Sequence, residues 1–310
     1  MALWDNIQGK WKLASTTWTD DSGNGNTLTA SGSAPTAVAG HAGGANLGTN
    51  FSGSTQYLYI TDAAQVGLDI TGAITISCWV KPANTSATKN YVAKHAASGN
   101  YGYTVYQNTS NKFGFLLSSD GTSYSSVISN TTLSTGTWYH IAVVYDGTDL
   151  RIYVNGLLDC TPVSYTLGIY NNTAGFYIGA NSIPNAYTNA VIDDVAIWSR
   201  ALSDSEVYDV FYLTDDFVFT SAPPAIDGVV KDKNGNTIDC SVYNVRVNAY
   251  PKNNMASIPV RTVLIIAASG VFHLFGLTAG TKYLVTFEYE GLYTPAPDWD
   301  IAGAEFMTAA

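Results

Sequence analysis

Residues Thr137–Gly156 read TWYHIAVVYDGTDLRIYVNG, and the alternation of this stretch decides the fold class. Successive side chains of a strand point to opposite faces, so counting by twos sorts them. Trp138, His140, Ala142 and Val144 share one face, while Tyr139, Ile141, Val143 and Tyr145 share the other. Asp146-Gly147 is a hairpin signal, because glycine accepts the positive φ that tight two-residue turns demand. The return segment LRIYVNG alternates again and closes on a second turn, Asn155-Gly156. Both faces of the first strand carry large or apolar groups. Such a strand belongs in the middle of a sheet with each side covered, as in a β-sandwich.

Composition agrees with an all-β chain of one or two domains. Of 310 residues, 46% are hydrophobic and 13% aromatic, ample for a core. Only 12% are charged, about half the usual share, so Ser, Thr, Asn and Gly must keep the surface wet. The formal net charge is −10, with 8 Lys+Arg against 16 Asp+Glu in residues 1–221 and 6 against 8 in residues 222–310. A chain without a basic stripe is not expected to bind nucleic acid or an anionic membrane surface. Three scattered cysteines, Cys78, Cys160 and Cys240, fit buried thiols better than a disulfide framework or a zinc site. Helix is expected only where Ser203 and Glu206 stand at capping-box spacing.

The hairpin stretch resembles the signature of the laminin G-like jelly roll, the concanavalin A-like lectin/glucanase architecture. Three further segments match that pattern in order: DDSGNGNTLT (Asp20–Thr29), AITISCWVKP (Ala73–Pro82) and IDDVAIWSRALSDSEV (Ile192–Val207). The resemblance implies an antiparallel jelly-roll sandwich over residues 1–215. Residues 216–223 then hold the connector Ser221-Ala222-Pro223-Pro224-Ala225 in part, a stiff linker composition. Beyond it, Gly228, Asp232 and Gly235, Gly270-Val271-Phe272, Leu277, Gly280 and Tyr283-Leu284-Val285 resemble a transthyretin-like, carboxypeptidase regulatory-like β-sandwich. That smaller sandwich and a C-terminal tail are expected over residues 224–310.

Catalytic groups are hard to find. A glycoside hydrolase needs two carboxyl groups about 5–5.5 Å or 6.5–9.5 Å apart. The glutamates are Glu206, Glu288, Glu290 and Glu305, none on an expected jelly-roll strand. Glu288 and Glu290 share a strand face in the second sandwich, where a solvated face is the simpler reading. Neither a Gly-x-Ser-x-Gly elbow nor a P-loop is present. His41, His95, His140 and His273 lie far apart in sequence, and His140 is expected to be a packed, hydrogen-bonded core histidine. A non-enzyme is therefore expected.

Two features suggest binding. Asp20-Asp21-Ser22-Gly23-Asn24-Gly25-Asn26 gathers carboxylate and amide oxygens with turn-forming glycines, a composition suited to Ca²⁺. The family resemblance implies a structural calcium near Asp20 and Asp193, and Asn24 of the same loop is added as a candidate ligand from its amide oxygen. By alternation Asp193 shares a face with Val191, Val195 and Ile197 and should point inward. A metal-free turn held by backbone N–H groups accounts for the same residues. Aromatic side chains are the second feature, since tyrosines offer flat apolar rings with a polar handle. Tyr101 and Tyr103 fall on one face and Tyr106 on the other, while Trp18, Tyr124, Tyr170 and Tyr187 fall near loops.

The expected function is a structural or adhesion protein of a virion surface, a phage head or tail decoration whose jelly roll binds host-surface glycans. Its partners are then other virion proteins or further copies of itself. A secreted or cell-surface bacterial glycan-binding accessory protein is the alternative, and a glycoside hydrolase a remote one. The start MALWDNIQGKWK lacks the basic and apolar regions of a signal peptide, which favours synthesis in a host cytoplasm if Met1 is the native start. In the tail, Trp299, Ile301 and Phe306 are apolar residues expected to dock onto a partner surface.

Overall fold

The computed structural model describes residues 3–212, apart from 15, 16, 32, 42–46, 85, 86, 97, 98 and 183–185, and beyond them six strands. The chain divides into two compact units, 1–217 and 218–310.

The first unit is a sandwich of two antiparallel sheets. One sheet takes β1 (Ile7–Trp11), β3 (Thr36–Ala39), β4 (Leu47–Ser52), β6 (Ile74–Pro82), β11 (Tyr139–Tyr145), β12 (Asp149–Val154), β13 (Leu157–Leu158), β14 (Val163–Ser164) and β16 (Asn189–Trp198). Its order is β13-β12-β11-β6-β16-β4-β3, with β1 also on β16 and β14 also on β12. The other sheet takes β2 (Thr29–Ser31), β5 (Tyr57–Ile60), β7 (Lys89–Lys94), β8 (Tyr103–Gln107), β9 (Phe113–Leu117), β10 (Ser125–Ile128) and β15 (Phe176–Ile178). That order is β10-β9-β8-β7-β15-β5-β2. Helix α1 (Asp204–Tyr212) follows β16.

The opening hairpin lies where its alternation placed it. β11 sits between β6 and β12, in the middle of its sheet. Tyr139, Ile141, Val143 and Tyr145 join the core between the sheets. Ala142 and Val144 lie on the other face in a second cluster with Trp198, Leu202, Val207 and Val210, so the helix supplies the expected cover. Burying each such side chain is worth about 1.5–3 kcal/mol. The capping box also forms: Glu206 N–H donates to Ser203 Oγ at 3.3 Å and Ser203 N–H to Glu206 Oε2 at 2.8 Å. Arg200 grips the same carboxylate through both terminal nitrogens, at 2.8 and 2.9 Å.

The register shifts briefly at Ile7–Gly9 in β1 and at Asn90–Val92 in β7, where Tyr91 and Val92 both enter the core, and most consequentially in the closing strand. Along β16 the register against β6 shifts between Asp193 and Ala196, and Asp194 takes a left-handed φ of 46°. One extra residue in a strand reverses the faces beyond it. Asp193 pairs with Trp79 on the outer face, whereas Val195 and Ile197 enter the core. The inward orientation expected for Asp193 is thus corrected: it shares a face with Val191 but not with Val195 or Ile197.

In the second unit, β17 (Ile226–Val229) pairs with β20 (Val271–Leu274). A four-stranded sheet runs β19 (Arg261–Ile265), β18 (Val245–Pro251), β21 (Lys282–Tyr289), β22 (Glu305–Thr308). Phe306 lies on β22 opposite Leu284, so it has a place in a strand rather than in a tail. Trp299, Ile301, Cys240 and the connector lie outside the described residues.

Two buried polar groups give tests of this packing. Lys94, 2% exposed, sends its ammonium to Asp62 and Asp69 at 2.8 Å each and to the carbonyls of Asn172 and Ala174 at 3.0 and 2.9 Å. It thereby ties two loops to the end of β7. Lys94→Met should cost about 3 kcal/mol in urea unfolding, the low end for breaking a buried pair because both aspartates keep contact with water. A loss under about 1 kcal/mol would contradict this clamp.

His140 is fully buried with Nε2 2.8 Å from Ser77 Oγ, the packed histidine expected from sequence. Burial, helped by His41, pushes its pKa down to about 3. An unfolded histidine titrates near ~6.5, so between these limits the unfolded chain binds more protons and stability falls as pH drops. The melting temperature should decline from about pH 6.5 downward, and His140→Gln should flatten that slope.

Candidate functional site

The seven-stranded sheet has an outer face that the register of its strands writes out residue by residue. Thr29, Tyr59, Tyr177 and Ala93 pair in line across β2, β5, β15 and β7. The line continues through Thr104, Leu116 and Ser126 on β8, β9 and β10. Directly paired residues point to the same side. One residue away, the parallel line Leu58, Ile178, Val92, Val105, Phe115, Val127 lies wholly in the core. The first line must therefore face outward.

Tyrosine dominates one side of this face. Tyr59 and Tyr177, a cross-strand pair, stack with ring centroids 6.1 Å apart and planes 19° apart. Tyr57, two residues along β5, lies 5.7 Å from Tyr59 and 5.6 Å from Tyr177. Tyr187 stacks on Tyr57 at 6.1 Å. All four rings are half-buried, so each packs on its neighbours and still presents surface. Burial, and then the phenols of Tyr57 and Tyr59, push the Tyr177 pKa up, which keeps its hydroxyl protonated and neutral. Local sequence explains the comb: YLYI and FYI alternate tyrosine outward with Leu58, Ile60, Phe176 and Ile178 inward.

Beside the comb the outward residues are covered. Ala93, Thr104 and Leu116 are at most 8% exposed although they point away from the core. Thr104 Oγ1 is buried there with no protein hydrogen-bond partner. Tyr106, outward on β8 two residues beyond Thr104, is half-buried, and its ring leaves no room for a side chain at Gly114.

The aromatic residues singled out from sequence have separate fates. Trp18 and Tyr103 are core residues, the latter donating its hydroxyl to Leu68 O at 3.0 Å. Tyr101 stacks on His95 at 4.3 Å, with Tyr124 edge-on to it at 6.2 Å. Tyr170 packs beside Gly121, and Tyr187 joins the comb. Tyr57, Tyr59 and Tyr177 were missed by sequence reasoning, though the alternation in YLYI could have revealed the first two.

The residues implied for calcium occupy two places. Asp20 accepts three backbone N–H groups: Lys10 at 3.0 Å and Ser22 at 2.9 Å on Oδ1, and Asn26 at 2.9 Å on Oδ2. The Asn24 amide donates to the carbonyls of Ile7 at 2.9 Å and Gln8 at 3.2 Å. This loop is thereby sewn to β1. Asp193 instead meets His41, whose backbone N–H and Nδ1 lie 3.1 and 3.0 Å from Oδ2, while Asp194 N–H donates to Oδ1 at 3.0 Å. Among the described residues, one group of three His, Cys, Asp or Glu brings its ligand atoms within 4.8 Å of one another, His41, Asp193 and Asp194, and Asp20 is not part of it. His41 also stacks on Trp79 at 4.2 Å. Calcium requires six to eight oxygens facing one point. The carboxylates of Asp20 and Asp193 face N–H donors instead, and as placed the three residues do not fit one calcium cage. Dialysis against a chelator is expected to leave the melting temperature unchanged; a drop of several degrees restored by Ca²⁺ would show a cage formed by other groups.

The sandwich has counterparts among known proteins. The family model described as the concanavalin A-like lectin/glucanases superfamily matches residues 52–208, which include the whole tyrosine comb. No curated protein sequence matches significantly. Among solved structures, domain 4 of AbnA, a GH43 extracellular arabinanase from Geobacillus stearothermophilus in complex with arabinotriose, superposes with a TM-score of 0.53 at 17% identity. That match covers 66% of this chain and 98% of the other. The binding domain of Paraclostridial Mosquitocidal Protein 1 gives 0.57 at 15% identity, covering 92% and 76%. The binding domain of botulinum neurotoxin DC in complex with SialylT gives 0.54 at 14%, covering 92% and 72%. At these identities the likeness is one of fold. With the family pattern spanning half of its residues, the chain belongs to the concanavalin A-like lectin/glucanase superfamily.

Proposed function

We propose that this chain is a non-catalytic glycan-binding protein whose ligand lies on the outer face of the seven-stranded sheet. The observation that carries the reading is the comb of Tyr57, Tyr59, Tyr177 and Tyr187. Tyrosine rings stack on the apolar faces of sugars while their hydroxyls bond sugar hydroxyls. The outward strand positions of this sheet carry no carboxylate, whereas glycoside hydrolysis needs a pair. Domains of similar fold support the same reading, one in complex with arabinotriose and a toxin binding domain in complex with SialylT.

The finer part of the proposal places the protein on a virion surface, in many copies, meeting a host glycan. Support comes from a composition poor in charge, which suits docking onto a repeating protein lattice. Many copies would offset weak single sites through avidity. Recovery of the chain with purified virus particles would support this placement. Recovery only in particle-free culture medium would assign the alternative, a secreted bacterial glycan-binding protein.

For the site itself, screening the full chain on a glycan array and titrating the best ligand is the direct test. Tyr59→Ala and Tyr177→Ala should each weaken binding about tenfold, on the scale of one lost stacking contact, with unchanged circular dichroism. Unaltered affinity in both variants would remove the comb from the site.

A further inference from the structure

We infer that the open edge of β3 is the contact through which two copies of this chain pair, joining their nine-stranded sheets about a two-fold axis at Val38. The inference concerns assembly and stands apart from the reading of the tyrosine face as a glycan site.

β3 ends its sheet, with β4 on one side and, among the described residues, no strand or hydrogen bond on the other. Its inward positions are open as well. Ala37 and Ala39 pair with Thr49 and Leu47 of β4, and Thr49 pairs in turn with Ile192 of the core. Both alanines thus point toward the opposite sheet, yet both are exposed. β3 therefore projects past the layer that covers its neighbours. An unpaired backbone edge beside uncovered small side chains is a template for another strand. Natural sheets blunt such an edge with charge, proline or very short strands. The opposite edge of this sheet follows that rule: β13 and β14 hold two residues each and stand among Asp149, Arg151 and Asp159. β3 carries no charge, and Pro35 precedes the strand and is buried, off the edge itself.

Charge and symmetry make the partner a second copy. Identical chains of net charge −10 repel, so they meet where carboxylates are lacking. Residues 22–61, which carry β2, β3, β4 and β5, hold no Asp, Glu, Lys or Arg. β2 is the last strand of the other sheet, so both sheets end in this uncharged stretch. β3 also reads the same in both directions about Val38, as Ala37-Val38-Ala39. Antiparallel partners keep their faces only when inward positions meet inward ones. An axis through Val38 satisfies this and leaves Pro35 outside the pairing. Val38 then faces its own counterpart, and each Ala37 faces the other copy's Ala39. With only methyl groups on the exposed inward side, the two overhangs can close on one another. Such an axis is perpendicular to the sheet, so both tyrosine faces look the same way. On the glycan reading, one dimer then engages a surface at two points.

Sedimentation of the full chain from about 1 to about 200 µM tests this, because so short a pairing edge associates weakly and by mass action. The expected result is a reversible monomer–dimer equilibrium. A variant with both Ala37→Lys and Ala39→Lys should dimerise about tenfold more weakly, since pairing would set lysine directly against lysine. Its circular dichroism should match the parent's, because both positions are exposed. Leu158→Lys, on the opposite edge, should dimerise like the parent. Mild oxidation reads the register: Val38→Cys should give a disulfide-linked dimer, whereas Ala37→Cys, which faces Ala39 rather than its own counterpart, should not. A chain that stays monomeric throughout, a double-lysine variant that dimerises like the parent, or loss of the dimer in Leu158→Lys would overturn the inference. So would Ala37→Cys cross-linking as readily as Val38→Cys, a comparison that decides the matter even where the lysine variant misfolds.

Discussion

Everything in the first unit depends on a two-residue period that runs across the seven-stranded sheet, interrupted within it at Asn90–Val92 of β7. The line from Leu58 to Val127 fills the core, and the line from Tyr59 to Ser126, one residue away, forms the candidate ligand face. These lines cannot be exchanged cheaply. A slip of one residue would put Tyr177 into the core and Ile178 into water, and do likewise on every paired strand. Core packing therefore fixes the tyrosine comb as well: the rings hold their spacing because the aliphatic residues between them are buried.

In the opposite sheet that period is broken, and the break has a use. At Asp194 an extra residue with positive φ reverses the face of β16. Asp193 comes to the outer side, where it accepts bonds from the His41 backbone and ring while that ring lies over Trp79. A carboxylate that is 0% exposed needs such donors to avoid a large desolvation cost. Beyond the bulge, Ala196 and Trp198 face the helix while Val195 and Ile197 face the core. The bulge thus serves both layers, matching the end of the closing strand to the helix that covers it.

The two faces of the sandwich also divide polar from apolar chemistry. Helix α1 shields the outer face of the nine-stranded sheet over Ala142, Val144, Tyr153 and Trp198. Over one side of the seven-stranded sheet the four half-buried tyrosines themselves form the cover. A sheet covered by its own half-buried rings keeps part of their surface exposed, whereas the residues under the packed helix are closed off.

Much of this was legible in sequence because it is local. The hairpin at Thr137–Gly156, the buried alternation of Cys78 with Ile76 and Val80, and the capping box of Ser203 and Glu206 each arise from neighbours a few residues apart. Single-strand alternation also separates Tyr57 and Tyr59 from Leu58 and Ile60. It cannot say which other strand lies alongside. Tyr177 stands more than a hundred residues from Tyr59, and their pairing depends on the strand order, which long-range burial selects. The bulge at Asp194 was invisible for the same reason, since an extra residue shows only against its partner strand. The sequence by itself determined the central hairpin, the two faces of its first strand, the capped helix and the absence of glutamate from the jelly-roll strands. Tertiary structure alone decided which faces meet, and so placed four tyrosines together and parted Asp20 from Asp193, because registry between distant strands is set by the packing of the whole core.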